Sequence, residues 1–234
     1  MSFASAQTAS GPNALPDAPD PQTDGQSLQQ ANANASTEGK QTKRILGIIP
    51  NFRAVSVDEK LPPQSAKDKF VTATQDSFDY SGFIFAGALA GISQAQDSYP
   101  EFHQGAAGYG RYYWHTLADQ SVENYMVEGI FPSALRQDSR YYTLGRGGII
   151  KRTEYSFSRI FITRTDSGGE TFNASEIVGA GAASGTSSLY YPGKDRTWTK
   201  VGQRWFTNVS LDGMTFIFKE FWPDINNAIF HQKQ

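Results

Sequence analysis

With 234 residues and a formal net charge of −2, the chain has the length of one domain and lacks the basic excess that would hold nucleic acid. The absence of cysteine excludes disulfides, thiolate nucleophiles and Cys-ligated zinc or iron–sulfur centres. No apolar run reaches the roughly eighteen residues of a membrane-spanning helix, and Gly82 to Ile92 covers only about half of one.

Residues 1 to 44 are built from Ser, Ala, Gln, Asn, Pro, Asp and Gly, which cannot bury enough surface to offset their ordering entropy. They read as a disordered arm. Ala4-Ser5-Ala6 has the small-x-small form of a signal-peptidase site, so residues 1 to 6 are a candidate remnant of an export leader. Residues 45 to 63 form an extended connector, in which the Ile45 to Pro50 run is a strand or an extended segment and Pro62-Pro63 bounds the far end.

A helical domain is expected over residues 64 to 230. Ser65-Ala66-Lys67-Asp68 has the form of a capping box, with Phe70, Val71, Thr74 and Phe78 following at helical spacing. Ser81 is placed to cap a second helix that runs to about Gln96. Gly105 to Ile130 is the longest helical pattern, and Pro132 should end or kink it. Ile149 to Arg164 reads as a helix, with a strand over Tyr155 to Thr163 as its alternative. Asn173 caps a further Gly/Ala helix, closed by Tyr190 to Gly193. From Thr197, aromatic and aliphatic residues recur at helical steps, with an interruption at Asp212-Gly213 and a stop at Trp222-Pro223.

About six helices on short connections imply an all-α antiparallel bundle. An outer-membrane β-barrel is the rival architecture, but the regular ten-residue alternation it needs is missing. Within the bundle, Gly87 with Gly91 and Gly181 with Gly185 form two Gly-xxx-Gly faces. Residues four apart share a helix face, so these glycines mark close helix packing, with one face against the other as the simplest pairing.

Few residues carry chemistry. Asp119 and Glu123 follow His115 at four-residue steps, which puts an imidazole and two carboxylates on one helix face. Such a face could orient a general base or hold a metal by one His and two carboxylates, but with Arg111 one turn earlier the ladder reads first as a hydrated or salt-bridged surface. Arg111-xxx-His115-xxx-Asp119 has a passing likeness to the last motif of the phosphatidic-acid-phosphatase type, but the Arg–His spacing is too short and no Ser-Gly-His block precedes it. Thr163 to Gly169 is a polar glycine-rich turn that lacks the Gly-Lys-Ser/Thr of a P-loop, and it reads as a helix C-terminus. No motif calls for a cofactor or a metal. Three tyrosine doublets, Tyr112-Tyr113, Tyr141-Tyr142 and Tyr190-Tyr191, lie close in sequence to arginines and lysines. Arg111, Tyr112, Arg140, Tyr141, Tyr142, Arg164, Tyr190 and Tyr191 are therefore candidates for an interfacial rim, with core tyrosines as the alternative.

Gly91-Ile92-Ser93-Gln94-Ala95, Arg164-Thr165-Asp166-Ser167-Gly168, Tyr190-Tyr191-Pro192 and Lys219 to Asp224 resemble blocks of a group of uncharacterised exported bacterial proteins. The resemblance covers about residues 45 to 227 and implies a periplasmic or envelope setting with no activity attached. The expectation is a non-enzymatic envelope protein that meets a membrane surface or an envelope protein. The alternative is a hydrolase of a lipid or cell-wall ester with His115 as general base.

Overall fold

The computed structural model describes residues 44–45, 49–51, 53–59 and 61–230. The arm expected over residues 1 to 44, with its leader remnant at 1 to 6, lies outside them except for Arg44. Helices dominate and the strands are short, so the all-α bundle holds.

β1 (Arg44–Ile45) pairs antiparallel with β2 (Ile49–Pro50), so the apolar run after the arm is a small strand pair. β3 (Ala54–Ser56) follows. α1 (Ala66–Ser77) opens on the expected capping box: Ser65 Oγ accepts from the Asp68 amide, and the Asp68 carboxylate accepts from the Ser65 amide. α2 (Tyr80–Ala95) starts earlier than expected, because Asp79 is the cap and accepts from both the amide and the hydroxyl of Ser81.

After a 3₁₀ turn (Pro100–Phe102), α3 (Gly105–Asn124) passes without a break into a π turn (Tyr125–Ile130) and then α4 (Phe131–Leu135). Pro132 does not end this rod, which runs on to Leu135. It lies just past the π turn, whose wider backbone turn accommodates a residue with no N–H to donate. The rod ends at Arg136, in the left-handed region at φ 53°. β4 (Tyr141–Thr143) then pairs in parallel with β3.

α5 (Ile149–Ser158) is shorter than the Ile149 to Arg164 helix expected, and β5 (Ile162–Arg164) takes its C-terminal portion. β5 pairs antiparallel with β6 (Glu170–Phe172), so Thr165 to Gly169 is a hairpin loop and no helix end. Its Asp166 carboxylate binds the buried Lys69 ammonium of α1 at 2.8 Å.

α6 (Ala174–Ser187) begins at the expected cap, with Asn173 Oδ1 accepting from the Glu176 amide. α7 (Trp198–Phe230) runs through both of its expected breaks. Gly213 packs beneath Ile160, whose Cδ1 lies 2.5 Å from the position of a Cβ there and would have to move aside for any side chain. Ahead of Pro223, the Arg152 guanidinium donates to the Glu220 carbonyl and holds the turn that the proline weakens.

α2 packs along α3, α6 packs against α3, the π turn and α7, and α5 packs on α7. The two Gly-xxx-Gly faces do not meet each other. Gly87 faces Tyr109 and Tyr113 of α3, with a Cβ position 3.1 Å from the Tyr109 hydroxyl, and Gly91 makes only an ordinary contact with the same ring. Gly181 faces Trp205 of α7, and no atom lies within 4 Å of a Cβ at Gly185. Close backbone approach falls elsewhere: a Cβ at Gly179 would stand 3.3 Å from Val127 Cα in the π turn. The buried faces are Gly82, Ala86 and Ala90 on α2, and Glu176, Gly179, Ala180 and Ala183 on α6.

Candidate functional site

α2 and α7 stand on opposite sides of a cleft of about 580 Å³ whose floor is α3. The α3 floor supplies His115, Asp119, Gln120, Glu123 and Asn124, and α7 supplies Lys200, Arg204, Asn208 and Asp212 from successive turns. Phe85 and Leu89 of α2 make the apolar wall.

The ladder of His115, Asp119 and Glu123 does lie along this floor, but its members do not act on one another. His115 Nδ1 is 2.7 Å from the Arg111 carbonyl and Nε2 is 3.1 Å from the Tyr190 carbonyl. Both ring nitrogens are occupied by backbone, and the ring is buried against Phe102 and Tyr191. Asp119, cast as the group orienting the imidazole, instead accepts from two tyrosines. One oxygen takes the Tyr190 hydroxyl and the other the Tyr191 hydroxyl, the latter at 2.6 Å. Burial and the Asp119 charge push both phenols above the ordinary tyrosine value, so they remain donors. A general base needs a free lone pair within reach of a substrate. A neutral imidazole donates to one of the two carbonyls and its remaining lone pair faces the other, so neither ring nitrogen is turned toward a substrate.

Glu123 has a different environment. Burial first, then the Asp212 charge, pushes its carboxyl up to about 9, so it is a neutral acid at pH 7. It stands at the edge of an interior charge network. Arg53 Nη2 lies 2.6 Å from Glu128, which the π turn carries inward, and Arg53 Nε lies 3.3 Å from Asp76. Burial works against the Arg53 charge, but Glu128, Asp76 and their neighbours hold it above its usual value. Glu128 and Glu176 are raised well above the carboxylate range, in both cases mainly by burial. Lys219 is lowered, by burial and then by Arg53. A π turn among such groups is a recurrent feature of functional sites. Among the described residues no three His, Asp or Glu side chains come together as metal ligands.

The expected rim is largely interior. Tyr112, Tyr141, Tyr142 and Tyr191 are buried. The Tyr112 hydroxyl bridges the backbone N–H and carbonyl of Tyr99, the Tyr141 hydroxyl donates to Glu220, and the Tyr142 hydroxyl donates to Asp138. Arg140 also binds Asp138, and Arg164 lies 3.9 Å above the Tyr142 ring. Arg111 remains exposed, with its guanidinium on the Phe102 carbonyl. Tyr112, Tyr141, Tyr142 and Tyr191 are thus core tyrosines with tethered hydroxyls, while Tyr113 and Tyr190 are half-buried.

Two cleft residues had no prominence in the sequence. The Lys200 ammonium lies over the Tyr99 ring at 5.5 Å, and the Arg204 guanidinium over the Tyr191 ring at 4.1 Å. Among the described residues neither has a carboxylate partner within ion-pair distance, and Arg204 donates only to the Asp195 carbonyl. Their four-residue spacing on α7 is visible in the sequence, but two basic residues one turn apart are also what any solvated helix face carries.

The chain's outer surface is unusual in the opposite sense. Ile149 and Ile150 of α5 are each 76% exposed, and Trp198 and Phe206 of α7 are 88% and 75% exposed. Ile84, Phe85 and Ile92 of α2 are exposed as well. Large apolar side chains thus face outward on three helices, while Lys69, Glu128, Glu176, Lys219 and Glu220 are buried. No helix of the described residues is long and apolar enough to cross a membrane. No family model, curated protein or solved structure matches this chain, so any function has to be argued from these features.

Proposed function

We propose that this chain is a non-enzymatic protein of the bacterial cell envelope that lies on a membrane surface through its outward apolar side chains. The observation that carries the reading is the inversion just described, with tryptophan, phenylalanine and isoleucine outside and ionisable groups within. Extended apolar exposure marks a surface that meets lipid or a protein partner. Lipid is favoured because the exposed residues are spread over α2, α5 and α7 and include a tryptophan, Trp198, suited to the headgroup boundary. Export rests on the resemblance of four sequence blocks to exported bacterial proteins.

The ester-hydrolase reading has less support. It needs His115 as a base oriented by Asp119, and both groups have other partners.

Co-sedimentation with neutral phosphatidylcholine vesicles tests the membrane reading. The folded protein should pellet with the vesicles and stay in the supernatant without them. A monomer that remains soluble in their presence would contradict the proposal, and a vesicle-indifferent oligomer would reassign the apolar surface to a protein partner. Fractionation of the bacterium that makes the protein tests the envelope assignment, which a purely cytosolic product would refute.

A further inference from the structure

The cleft combines three features that belong to different parts of one ligand. Lys200 and Arg204 sit at one end, each stacked on a tyrosine face and neither matched by a carboxylate among the described residues. The middle and far end are lined by amide, hydroxyl and carboxyl groups, among them Gln120, Asn124, Asn208 and Thr215. Phe85 and Leu211 line the cleft and are also exposed on the outer surface, so the mouth opens directly onto the apolar exterior.

We infer that this cleft receives the headgroup of an anionic phospholipid, with the phosphate at Lys200 and Arg204 and the acyl chains leaving past Phe85 and Leu211. The inference rests on the membrane reading above and adds a lipid class to it. A bare anion would use the cationic end but would leave the apolar wall and the open mouth without a role. A neutral lipid would leave two unmatched cations in a partly buried setting, where a charge without a counterion is costly. An amphiphile with a phosphate and a hydroxylated head uses all three. The carboxylate nearest the stacked rings, Asp119, keeps its charge, but both of its oxygens are turned to the Tyr190 and Tyr191 hydroxyls, so the charged donors offered to the phosphate are those of Lys200 and Arg204. Glu123, a neutral acid, is a hydrogen-bond partner for glycerol hydroxyls, and the Asp212 carboxylate, about two turns along α7 from Arg204, accepts from the same hydroxyls at a distance from the phosphate end.

The test compares binding of the full chain to phosphatidylcholine vesicles with binding to vesicles containing phosphatidylglycerol. A preference for the anionic vesicles is expected, and Lys200→Gln with Arg204→Gln should reduce it by roughly five-fold per residue, the factor for one cation near an anionic surface. Binding to phosphatidylcholine should stay as it was. Lys67→Gln and Lys151→Gln, on exposed faces of α1 and α5, should leave the preference largely intact. Because Arg204 also packs on Tyr191, Lys200→Gln alone and Arg204→Lys are included. The first should weaken the preference and the second should retain it. An unchanged preference in the folded Lys200 and Arg204 variants would overturn the site, as would equal losses in the Lys67 and Lys151 variants. Protection of the cleft by inorganic phosphate with no preference between vesicles would make it a soluble-anion site and overturn the lipid assignment. Absence of binding to either vesicle would refute the membrane reading itself, and this inference with it. Binding to both without preference would refute only the headgroup site.

Discussion

The carbonyl oxygen of His103 lies 2.0 Å from the point where a Cβ on residue 108 would stand, so only glycine fits the first turn of α3 at Gly108. His103 itself has a φ of 61°, which folds the preceding loop back over the helix start. The obstruction is backbone, which cannot rotate away. Gly108→Ala should therefore lower stability by more than the roughly 1–3 kcal/mol typical of overpacking. Two residues on, Gly110 is exposed with no atom within 4 Å of a Cβ, and Gly110→Ala should stabilise by about 0.5–1 kcal/mol. Urea unfolding of both variants gives the comparison, and equal midpoints would show the close approach to be wrong.

His115→Ala should unfold the protein more easily and should remove no activity. The ring packs 4.3 Å from Phe102 and sits between the Arg111 carbonyl of α3 and the Tyr190 carbonyl after α6, donating to one of them, so about 2–4 kcal/mol should be lost. A thermal melt checks this. An unchanged melting temperature combined with loss of an esterase activity would restore the hydrolase reading.

Glu220 is fully buried, and its two oxygens accept from Arg152, the Gly145 amide, the Tyr141 hydroxyl and the Leu144 amide. This carboxylate joins α7 to α5 and to the segment after β4. Glu220→Ala would take from the buried Arg152 one of its two carboxylates, Asp224 being the other, and would leave the Tyr141 hydroxyl and two backbone amides without their acceptor, so it should cost about 3–5 kcal/mol. Since both partners belong to one network, Arg152→Ala combined with Glu220→Ala should cost clearly less than the sum of the single losses. Additive losses in denaturant titrations would mean that the pair is not coupled.

Stability should fall as pH rises from about 5 to 9. Across that window the folded chain keeps a proton on Glu123 that the unfolded chain has released, so each step upward favours unfolding. The contribution is complete below the ordinary carboxyl value and is gone above about 9. Glu176, raised mainly by burial and then by the Asp212 charge, is shifted in the same direction and adds to the slope. Glu123→Gln, neutral at every pH, should flatten the descent in a series of melts. An identical slope in wild type and variant would remove Glu123 from the account.

Local signals account for what was legible in the sequence. The box at Ser65 and Asp68 and the cap at Asn173 are short-range hydrogen bonds, and both formed where their residues stand. The failures lie where tertiary contacts outvote local preference. Gly213 and Pro223 look like breaks, yet one fits beneath Ile160 and the other follows a turn held by Arg152, neither visible from neighbours in sequence. The glycines that make the closest helix contact were passed over for the same reason: Gly179 belongs to no Gly-xxx-Gly pair, and the Val127 backbone that it meets lies in a π turn with no motif of its own. Asp119 was given to His115 because the two share a helix face, but its tyrosine partners come from about seventy residues away. Lys200 and Arg204 acquire meaning only once α7 is seen beside α3.

The chain's four tryptophans provide the most direct test of the membrane reading. Trp198 is 88% exposed and Trp222 only 1%, at two places along the same helix. In variants retaining one tryptophan each, bound to vesicles with bromine on the upper acyl chain, the Trp198 emission should shift to the blue and be strongly quenched. The Trp222 emission should barely change, because it is already enclosed by protein. If Trp198 keeps the emission and lifetime of a water-exposed indole in the presence of the vesicles, the apolar exterior does not meet lipid and the membrane account is contradicted.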